Sequence, residues 1–143
     1  MNTSIAECVK FTNENPRCFL ATVEGDQPRV RGMHLMFSNE QGFYFTTGNF
    51  KGMYGQLQKN PKTEVCFFSP KEMRSMRIAG EVEFITDMKE KEEIFKKTQW
   101  LKNIIGTHDN AMWTPFRIQR GVAYFWTMAA NLEKPNYIGF DFK

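Results

Sequence analysis

The sequence predicts a mainly β (α+β) fold, an antiparallel barrel of about six strands with helices on its flanks. Three observations support this prediction. Short runs rich in β-branched and aromatic residues alternate with clusters of turn residues. Tight turns, rather than long helical crossovers, join most of these runs, which favours an antiparallel barrel over a doubly wound sheet. Aromatic residues make up 15% of the 143 residues, which suits a β-protein or a protein that packs a flat ring.

The first helix is predicted near the start of the chain. Ser4 and Glu7 have the spacing of a capping box, in which two side chains satisfy free N–H groups at a helix start. Asn15 and Pro16 end the helix, because the residue before a proline avoids the α conformation. Its apolar residues recur on one face, which we expect to pack on the sheet.

Two further helices are predicted in the middle of the chain. Asn49 is expected to cap a short helix that reaches about Lys59. Asp87 is expected to cap a helix over residues 88–101. Residues 89–97 mix both charge signs, as a solvated helix face does.

Strands are predicted between turns of characteristic composition. Turn chemistry marks residues 24–28 and 38–42, and residues 103–115 are expected to form a loop region. Because the chain shows no internal repeat and no linker, we expect a single domain over residues 1–143. The predicted strands are residues 18–23, 29–37, 43–47, 63–68, 76–86 and 117–127.

Charge and cysteine content exclude several classes of protein. The net charge of +3 is too small to indicate nucleic-acid binding, and no window approaches the roughly 20 apolar residues of a membrane span. Cys8, Cys18 and Cys66 form no Cys-x-x-Cys pair, and His34 and His108 are far apart, so no metal site is predicted. We therefore expect a cytoplasmic protein with reduced thiols, without a membrane or nucleic-acid partner.

Two arginines form the first candidate site. Arg29 and Arg31 share one face of a predicted strand, because side chains alternate along a strand, and neighbours on one face lie about 7 Å apart. Both guanidinium groups can therefore reach one phosphate. On periodicity alone, an exposed strand face with two solvated charges is the favoured interpretation.

The second candidate site runs from Thr46 to Lys51. A strand ends there, Gly48 allows a tight turn, and a helix begins. Free N–H groups at a helix start attract anions, and Lys51 adds a full positive charge. The alternative is a solvated lysine beside a capped helix. A third cluster, Arg74 to Arg77, could contact a ligand or a partner subunit, but surface charge is the favoured interpretation.

Several short pieces occur in an order and spacing that resemble a known family. They are FLATV at 19–23, QPRVR at 27–31, GFYFTT at 42–47, Lys51 followed by Leu57 and by NPK at 60–62, and IAGEV at 78–82. Together they resemble the FMN-binding split-barrel proteins of the pyridoxamine 5′-phosphate oxidase family, over about half of the chain. The resemblance implies a six-stranded split barrel and a homodimer with FMN at the subunit interface.

The resemblance also implies roles for particular residues. By position, Arg29 matches the arginine that binds the FMN phosphate, and Lys51 matches the phosphate-binding lysine. Both are therefore favoured as ligands over solvated charges, since the phosphate carries about −1.5 to −2 charges. The remaining positions are Val30, Arg31, Gly32 and Met33 along the strand that meets the flavin ring, Thr46 and Thr47 at the ring and ribityl chain, Ser75 or Met76 from the partner subunit, and Trp113 beside the flavin.

The chain departs from the vitamin B6 oxidases in two places. His34 stands where they carry a second lysine, and residues 130–135 lack their C-terminal Arg-and-His signature. The chain is closer to short relatives described as general stress proteins, flavin reductases or nitroimidazole-resistance proteins. We therefore expect an FMN-dependent oxidoreductase acting on an unknown small molecule. His34 is the one acid–base candidate, and no catalytic residue is assigned.

Three alternatives to this function remain open. The first is a binding module of the same fold that holds flavin, haem or a deazaflavin without turnover. The second is a nitroimidazole-resistance-type nitroreductase. The third is a split-barrel protein that serves as a dimeric interaction module.

Overall fold

Eight strands, all paired antiparallel, form one sheet in the computed structural model, which describes residues 3–143. The strands are β1 (Arg17–Glu24), β2 (Gln27–His34), β3 (Phe37–Asn39), β4 (Gly42–Gly48), β5 (Lys62–Ser69), β6 (Arg74–Phe84), β7 (Trp113–Thr127) and β8 (Ile138–Asp141). The helices are α1 (Thr3–Glu14), α2 (Gly52–Lys59), α3 (Met88–Lys97) and α4 (Lys102–Ile105), with a 3₁₀ turn at Gln99–Leu101. The antiparallel α+β prediction is confirmed, and the strands beyond the predicted six are the short β3 and β8.

The order of the strands places β2 and β3 at the two ends of the sheet. The order is β2-β1-β5-β6-β7-β4-β3, and β8 pairs with β7. Alternate side chains of the long strands turn inward and form the main core. Its fully buried members include Leu20, Phe45, Val65, Ile78 and Phe116. Burying such a side chain contributes about 1.5–3 kcal/mol, so this core carries the fold.

A second, smaller core lies on the opposite face of β4. It joins Tyr44 of β4 to Ile94 of α3 and to Leu101, and it also holds Trp113 at the start of β7. Asp87 caps α3 as predicted, because its carboxylate accepts a hydrogen bond of 2.9 Å from the backbone N–H of Glu90. This second core fixes the segment between α3 and β7 against the end of β4.

The strand predicted over residues 29–37 is divided in the structure. β2 ends at His34, and the chain then turns towards β4 before β3 begins. The backbone N–H of Leu35 bonds the carbonyl of Pro16, whereas that of Met36 bonds the carbonyl of Tyr44. The chain thus leaves one end of the sheet and joins the other, which local β-propensity does not encode.

Three helix predictions need correction. α1 begins at Thr3, so Ser4 lies in its first turn rather than at the cap. Asn49 does not cap α2, because its amide donates to the carbonyl of Ala111 at 3.2 Å and Lys51 occupies the cap position. The helix predicted over 88–101 ends at Lys97 and is followed by the 3₁₀ turn and α4.

The region predicted as a loop, 103–115, contains most of α4 and the first residues of β7. Of the helices between residues 3 and 143, none is both long and apolar enough to cross a membrane.

Candidate functional site

The two arginines of β2 lie on one face, as their spacing predicts. Arg29 is opposite Thr22 and Arg31 is opposite Leu20 in the pairing of β2 with β1. Leu20 and Thr22 are buried on the inner face of the sheet. Both guanidinium groups therefore start from the inner side of an edge strand.

Arg31 is held by three hydrogen bonds. Its Nη1 donates to the carbonyl of Leu20 at 3.1 Å and to Oγ1 of Thr22 at 2.8 Å. Its Nη2 donates to Oε1 of Gln56 at 2.8 Å. Partial burial lowers the pKa of this guanidinium, but an arginine pKa lies so high that the charge is kept at neutral pH. Arg31 is thus a fixed cation between β2 and α2.

Arg29 is exposed and pairs with a carboxylate. Its Nε and Nη2 donate to Oε1 of Glu24 at 3.1 and 2.9 Å. The hydrogen bonds from Arg29, then the one from Gln56, lower the pKa of the Glu24 carboxyl. The pair lies in solvent, where an ion pair contributes little to stability, so Arg29 can exchange Glu24 for another anion.

The start of α2 carries a free cation. Lys51 occupies the N-cap position, and no side chain caps the helix. No ion pair or hydrogen bond joins the Lys51 amine to residues 3–143. Gln56 lies one turn further, close enough that a Cβ on Gly52 would be 3.6 Å from its Nε2. Through Gln56, the fixed charge of Arg31 therefore lies beside the first turn of α2.

The two threonines at the end of β4 differ in their bonding. Oγ1 of Thr46 accepts a hydrogen bond of 2.6 Å from the indole Nε1 of Trp113. Oγ1 of Thr47 is buried without a partner, and so is that of Thr114, which lies opposite Thr47 on β7. A buried hydroxyl without a partner costs about 1–3 kcal/mol, so these groups favour a polar ligand atom or a water beside them.

A cavity of about 350 Å³ opens at this end of β4, and we call it the aromatic cavity. It brings together Thr46, Thr47, Lys51 and Trp113, four of the residues predicted from the sequence. The cavity is lined by Thr46, Thr47, Gly48, Phe50, Lys51, Trp100, Leu101, Ile104, Ile105, Asn110, Met112 and Trp113. Its far wall is the segment from the 3₁₀ turn to the start of β7, to which the sequence assigned no strand or helix beyond Leu101.

The other predicted residues are divided between the two faces of the sheet. Val30 and Gly32 lie on the outer face of β2, whereas Met33 packs against the main core. Ser75 is half-buried on the outer face of β6. Met76 is fully buried in the main core, so of the pair Ser75 and Met76 only Ser75 has an accessible side chain.

The arginines of the third cluster make contacts within the chain. Arg74 forms an ion pair of 2.7 Å with Glu7, and its guanidinium lies 3.7 Å from the ring centre of Phe125. Arg77 lies 3.7 Å from a carboxylate oxygen of Glu64 and 4.6 Å from the ring centre of Tyr124. These contacts agree with a structural role for this cluster.

Sequence reasoning missed Lys91, which it placed on a solvated face of α3. Lys91 is 8% exposed, its Nζ donates to the carbonyl of Trp113 at 3.0 Å, and it lies 5.4 Å from the ring centre of that residue. Burial lowers the pKa of its amine. It fixes Trp113, which in turn fixes the hydroxyl of Thr46. Gln56 was missed as well, since no local pattern shows that it joins Arg31 to α2.

The outer face of strands β2, β1, β5, β6 and β7 carries several exposed apolar side chains. We call this surface the outer face. Its exposed apolar side chains are Phe19, Val30, Phe68, Val122 and Trp126. A shallow cavity of about 810 Å³ beside Phe19 and Phe68 continues it towards His34. Apolar surfaces of this kind mark interaction sites more often than free surface.

Comparison with known proteins gives a consistent result. Residues 4–119 match the family model described as pyridoxamine 5′-phosphate oxidase. A pyridoxine/pyridoxamine 5′-phosphate oxidase of Pseudomonas putida (strain W619) is 41% identical over 68 residues, which are 47% of this chain and 32% of that protein. The matches thus span about a third of the length of the curated relatives.

Solved structures resemble the whole chain. A NimC/NimA family protein from Clostridium acetobutylicum is 25% identical with a TM-score of 0.82, over 96% of this chain and 94% of that one. A pyridoxamine 5′-phosphate oxidase-related, FMN-binding protein from Nostoc punctiforme PCC 73102 has a TM-score of 0.64 at 12% identity, over 99% of this chain and 98% of that one. At that identity the second likeness supports the fold alone.

Proposed function

The chain belongs to the pyridoxamine 5′-phosphate oxidase family, and we propose that it binds FMN and acts as a flavin-dependent oxidoreductase on a small molecule. One observation carries this proposal. The uncapped start of α2, with the free Lys51 amine and the nearby Arg31, lies next to the end of β4, where the hydroxyl of Thr47 is buried without a partner. Positive charge at the start of α2, beside a free polar group at the end of β4, suits a ligand that carries both a phosphate and a flat polar ring.

Positive charge supports the proposed binding of the FMN phosphate. FMN brings about −1.5 to −2 charges near neutral pH if its phosphate behaves like a phosphorylated side chain. Lys51 and the free N–H groups of the first turn of α2 supply positive potential. Arg31 adds a fixed charge through Gln56, and Arg29 adds a mobile one when it leaves Glu24. These residues fit a phosphate.

Free hydrogen-bonding groups support the proposed binding of the flavin ring. β2 is an end strand of the sheet, so the backbone groups on its free side, from Val30 to Met33, have no strand partner. At the end of β4, the unpaired hydroxyl of Thr47 offers a further contact. Flavin rings carry both donors and acceptors along one edge, and these residues can hold that edge.

We also propose that the protein is a homodimer that covers the outer face. Phe19, Val30 and Phe68 are exposed on adjacent strands, and a second copy of the chain would bury them. FMN would then lie at the subunit boundary, with Ser75 of the partner subunit as a contact. The support for this arrangement is the apolar outer face and the family membership.

Bound FMN would supply the electron-transfer chemistry. The residues of the chain bind, orient and shield it. His34 is exposed, its Nδ1 lies 2.9 Å from the carbonyl of Leu35 and its ring 6.4 Å from that of Trp100. We assign no general acid or base. Because His34 and residues 130–135 differ from the B6 oxidases, we propose a substrate other than a B6 phosphate.

The cofactor proposal is tested by titrating FMN into the purified protein. We expect flavin absorbance bands that stay with the protein through gel filtration. Replacing Lys51 by Ala should weaken FMN binding at least tenfold, because it removes the free cation at the phosphate end. Lys59→Ala is the matched control, since it removes the same charge from the other end of α2. Absent FMN binding, or equal losses in both variants, would refute the proposal.

Turnover is tested separately. The FMN-loaded protein is mixed with NADH or NADPH without oxygen, and loss of the flavin absorbance is followed. Bleaching by either donor supports an oxidoreductase. If flavin binds but neither nicotinamide nor dithionite-reduced ferredoxin changes its absorbance, the protein is a flavin-binding module instead.

A further inference from the structure

Lys91 is a buried lysine of α3 whose charge no carboxylate balances directly. It is 8% exposed, whereas Lys89 on the same helix is exposed. Its Nζ donates to the backbone carbonyl of Trp113 at 3.0 Å, and it forms no ion pair with residues 3–143. A buried charge of this kind costs free energy, and an apolar side chain of similar volume would avoid that cost. The stability of the fold therefore gives no reason for an ammonium at this position.

The amine of Lys91 keeps its charge at neutral pH. Burial lowers the pKa of this amine, and the negative charge of Asp109 opposes that fall. The ordinary pKa of a lysine is about 10.4, which lies so far above neutral that the lowered amine is still protonated. Lys91 therefore places a lasting positive charge inside the protein, beneath α3.

Trp113 connects this charge to the aromatic cavity. Nζ of Lys91 lies 5.4 Å from the centre of the Trp113 ring, and Phe95 of α3 packs edge-on against the same ring. The indole Nε1 of Trp113 donates to Oγ1 of Thr46 at 2.6 Å, and both residues line the cavity. Lys91 does not line the cavity itself. It therefore acts on the cavity through Trp113 and through its charge.

A positive charge beside a flavin favours its reduced form. The proposed function assigns FMN to this cavity, because Thr47 and Lys51 line it and are proposed contacts of the ring and the phosphate. A hydride from a donor such as NADH brings two electrons and one proton, so the flavin ring gains one negative charge. A positive charge held in the protein interior stabilises that negative charge more strongly than the same charge in water.

We propose that Lys91 is a positioning residue of the flavin site, which holds Trp113 at the aromatic cavity and raises the reduction potential of bound FMN through its positive charge. The inference rests on the proposed function, since it concerns FMN bound in this cavity. Lys91 is assigned no contact with FMN and no proton transfer. The burial of Lys91, its bond to Trp113 and the bond from Trp113 to Thr46 are properties of the chain itself.

The test measures the reduction potential of FMN in the FMN-loaded protein by spectroelectrochemical titration without oxygen. A shift of this potential reports the change in the ratio of the affinities for reduced and oxidised FMN. Lys91→Met removes both the charge and the hydrogen-bond donor, whereas Lys91→Gln removes the charge and keeps a donor. Each variant should lower the preference for reduced FMN at least tenfold, which is a fall in potential of about 30 mV for a two-electron couple.

Two control variants separate the charge of Lys91 from other effects. Lys91→Arg keeps a positive charge and donors, so its preference for reduced FMN should stay within threefold of wild type. Lys89→Met removes an exposed lysine from the same helix and should leave the potential unchanged. In all four variants the affinity for oxidised FMN should stay within threefold, because the proposed contacts at Lys51 and the start of α2 are intact. Circular dichroism checks that each variant is folded.

The results separate this inference from the proposed function. A merely structural role of Lys91 predicts a lower midpoint of thermal unfolding with an unchanged potential. If FMN binds but the potential is unchanged in Lys91→Gln, or falls equally in Lys89→Met, the inference is overturned and the cofactor proposal stands. Loss of oxidised FMN from both Lys91→Met and Lys91→Gln overturns it too, because Lys91 would then hold the site together. Absent FMN binding by wild type refutes both proposals.

Discussion

Arg31 and Arg29 have the same charge and face the same way, yet their surroundings give them different roles. Arg31 donates three hydrogen bonds, to Leu20, Thr22 and Gln56. Its guanidinium is therefore held in position without a ligand. Arg29 is exposed, and one carboxylate oxygen of Glu24 takes two of its donors. A fixed and a mobile cation together can bind an anion with little reorganisation and still release it.

Trp113 is a second case in which a single residue sets the chemistry of its neighbour. Its indole donates to Thr46, its carbonyl accepts from Lys91, and it is 2% exposed. Its side chain is therefore almost closed to solvent, although it lines the aromatic cavity. It positions the hydroxyl of Thr46, and Lys91 keeps it in place.

Because the thiol of Cys18 is buried, we expect the stability of the protein to fall as the pH rises above 9. Burial, with a smaller effect of the nearby Cys66, raises the pKa of the Cys18 thiol from 9.0 to about 12. The stabilisation is complete below pH 9 and is lost as the pH rises, because the unfolded chain releases this proton before the folded chain does. Each pH unit between the two pKa values costs up to about 1.4 kcal/mol.

We therefore expect urea denaturation to show a steeper loss of stability between pH 9 and 10.5 for wild type than for Cys18→Ala. The alanine variant is less stable at pH 7, since it loses a buried sulfur, and its pH curve is flatter. Parallel curves for the two proteins would show that Cys18 is not protected from ionisation.

At the scale of elements, the paired strands β6 and β7 leave no room for a side chain at their glycines Gly80 and Gly121. The register shifts between Gly80 and Val82, where β7 contains an extra residue. A Cβ on Gly121 would lie 2.1 Å from the carbonyl oxygen of Ala79, and one on Gly80 would lie 2.5 Å from that of Arg120. Both obstacles are backbone atoms, which cannot move aside without breaking the ladder.

Replacing Gly121 by Ala should therefore destabilise the protein by about 3 kcal/mol or more, the upper end for overpacking. The midpoint of thermal unfolding measures this. Gly139→Ala is the control, because nothing lies within 4 Å of a Cβ built there in β8. Similar midpoints for the two variants would mean that the strands can separate at the bulge at low cost.

The start of α2 shows how an element can lack its usual cap and still form. Lys51 at the cap position offers no acceptor, and Gly52 and Gly55 lower the helix propensity. Met53 and Leu57 are buried against the barrel, so tertiary packing rather than capping holds the helix. The uncapped N–H groups are thereby left available to an anion.

At the scale of the whole molecule, the sheet has two different surfaces. The inner surface is the main core. The outer face exposes Phe19 on β1, Val30 on β2 and Phe68 on β5, on three strands that lie side by side. A lone barrel gains nothing from this exposure, whereas the proposed dimer would bury it.

We expect Phe19→Glu to convert the protein from a dimer to a monomer and to weaken FMN binding, because a charge at the centre of the outer face opposes association. Light scattering coupled to gel filtration gives the mass. Leu132→Glu is the control, since Leu132 is 98% exposed and lies outside the strands of the outer face. A dimer in both variants would place the interface elsewhere, and a wild-type monomer would refute the dimer itself.

Much of the fold follows from local patterns. The six predicted strands correspond to β1, β2, β4, β5, β6 and β7, because hydrophobic periodicity and turn residues are local properties. The pairing of Arg29 and Arg31 on one face is fixed by the period of a strand. Asp87 caps α3 because its carboxylate and the N–H that it accepts from are three residues apart.

The other features depend on residues that are distant in the chain. The break after His34 arises because Leu35 bonds Pro16 while Met36 bonds Tyr44. The amide of Asn49 bonds Ala111 instead of capping α2, and Lys91 is buried because Trp113 lies beneath α3.

The sequence by itself determined the antiparallel barrel and the position of the candidate cationic residues, because strand period, turn chemistry and charge depend only on residues that are close together in the chain. The tertiary structure alone decided which of those residues meet, that Thr46 accepts a hydrogen bond from Trp113 at the aromatic cavity, and that Met76 belongs to the core. Those outcomes depend on contacts between residues up to 67 positions apart, as between Thr46 and Trp113, which only the folded chain brings together.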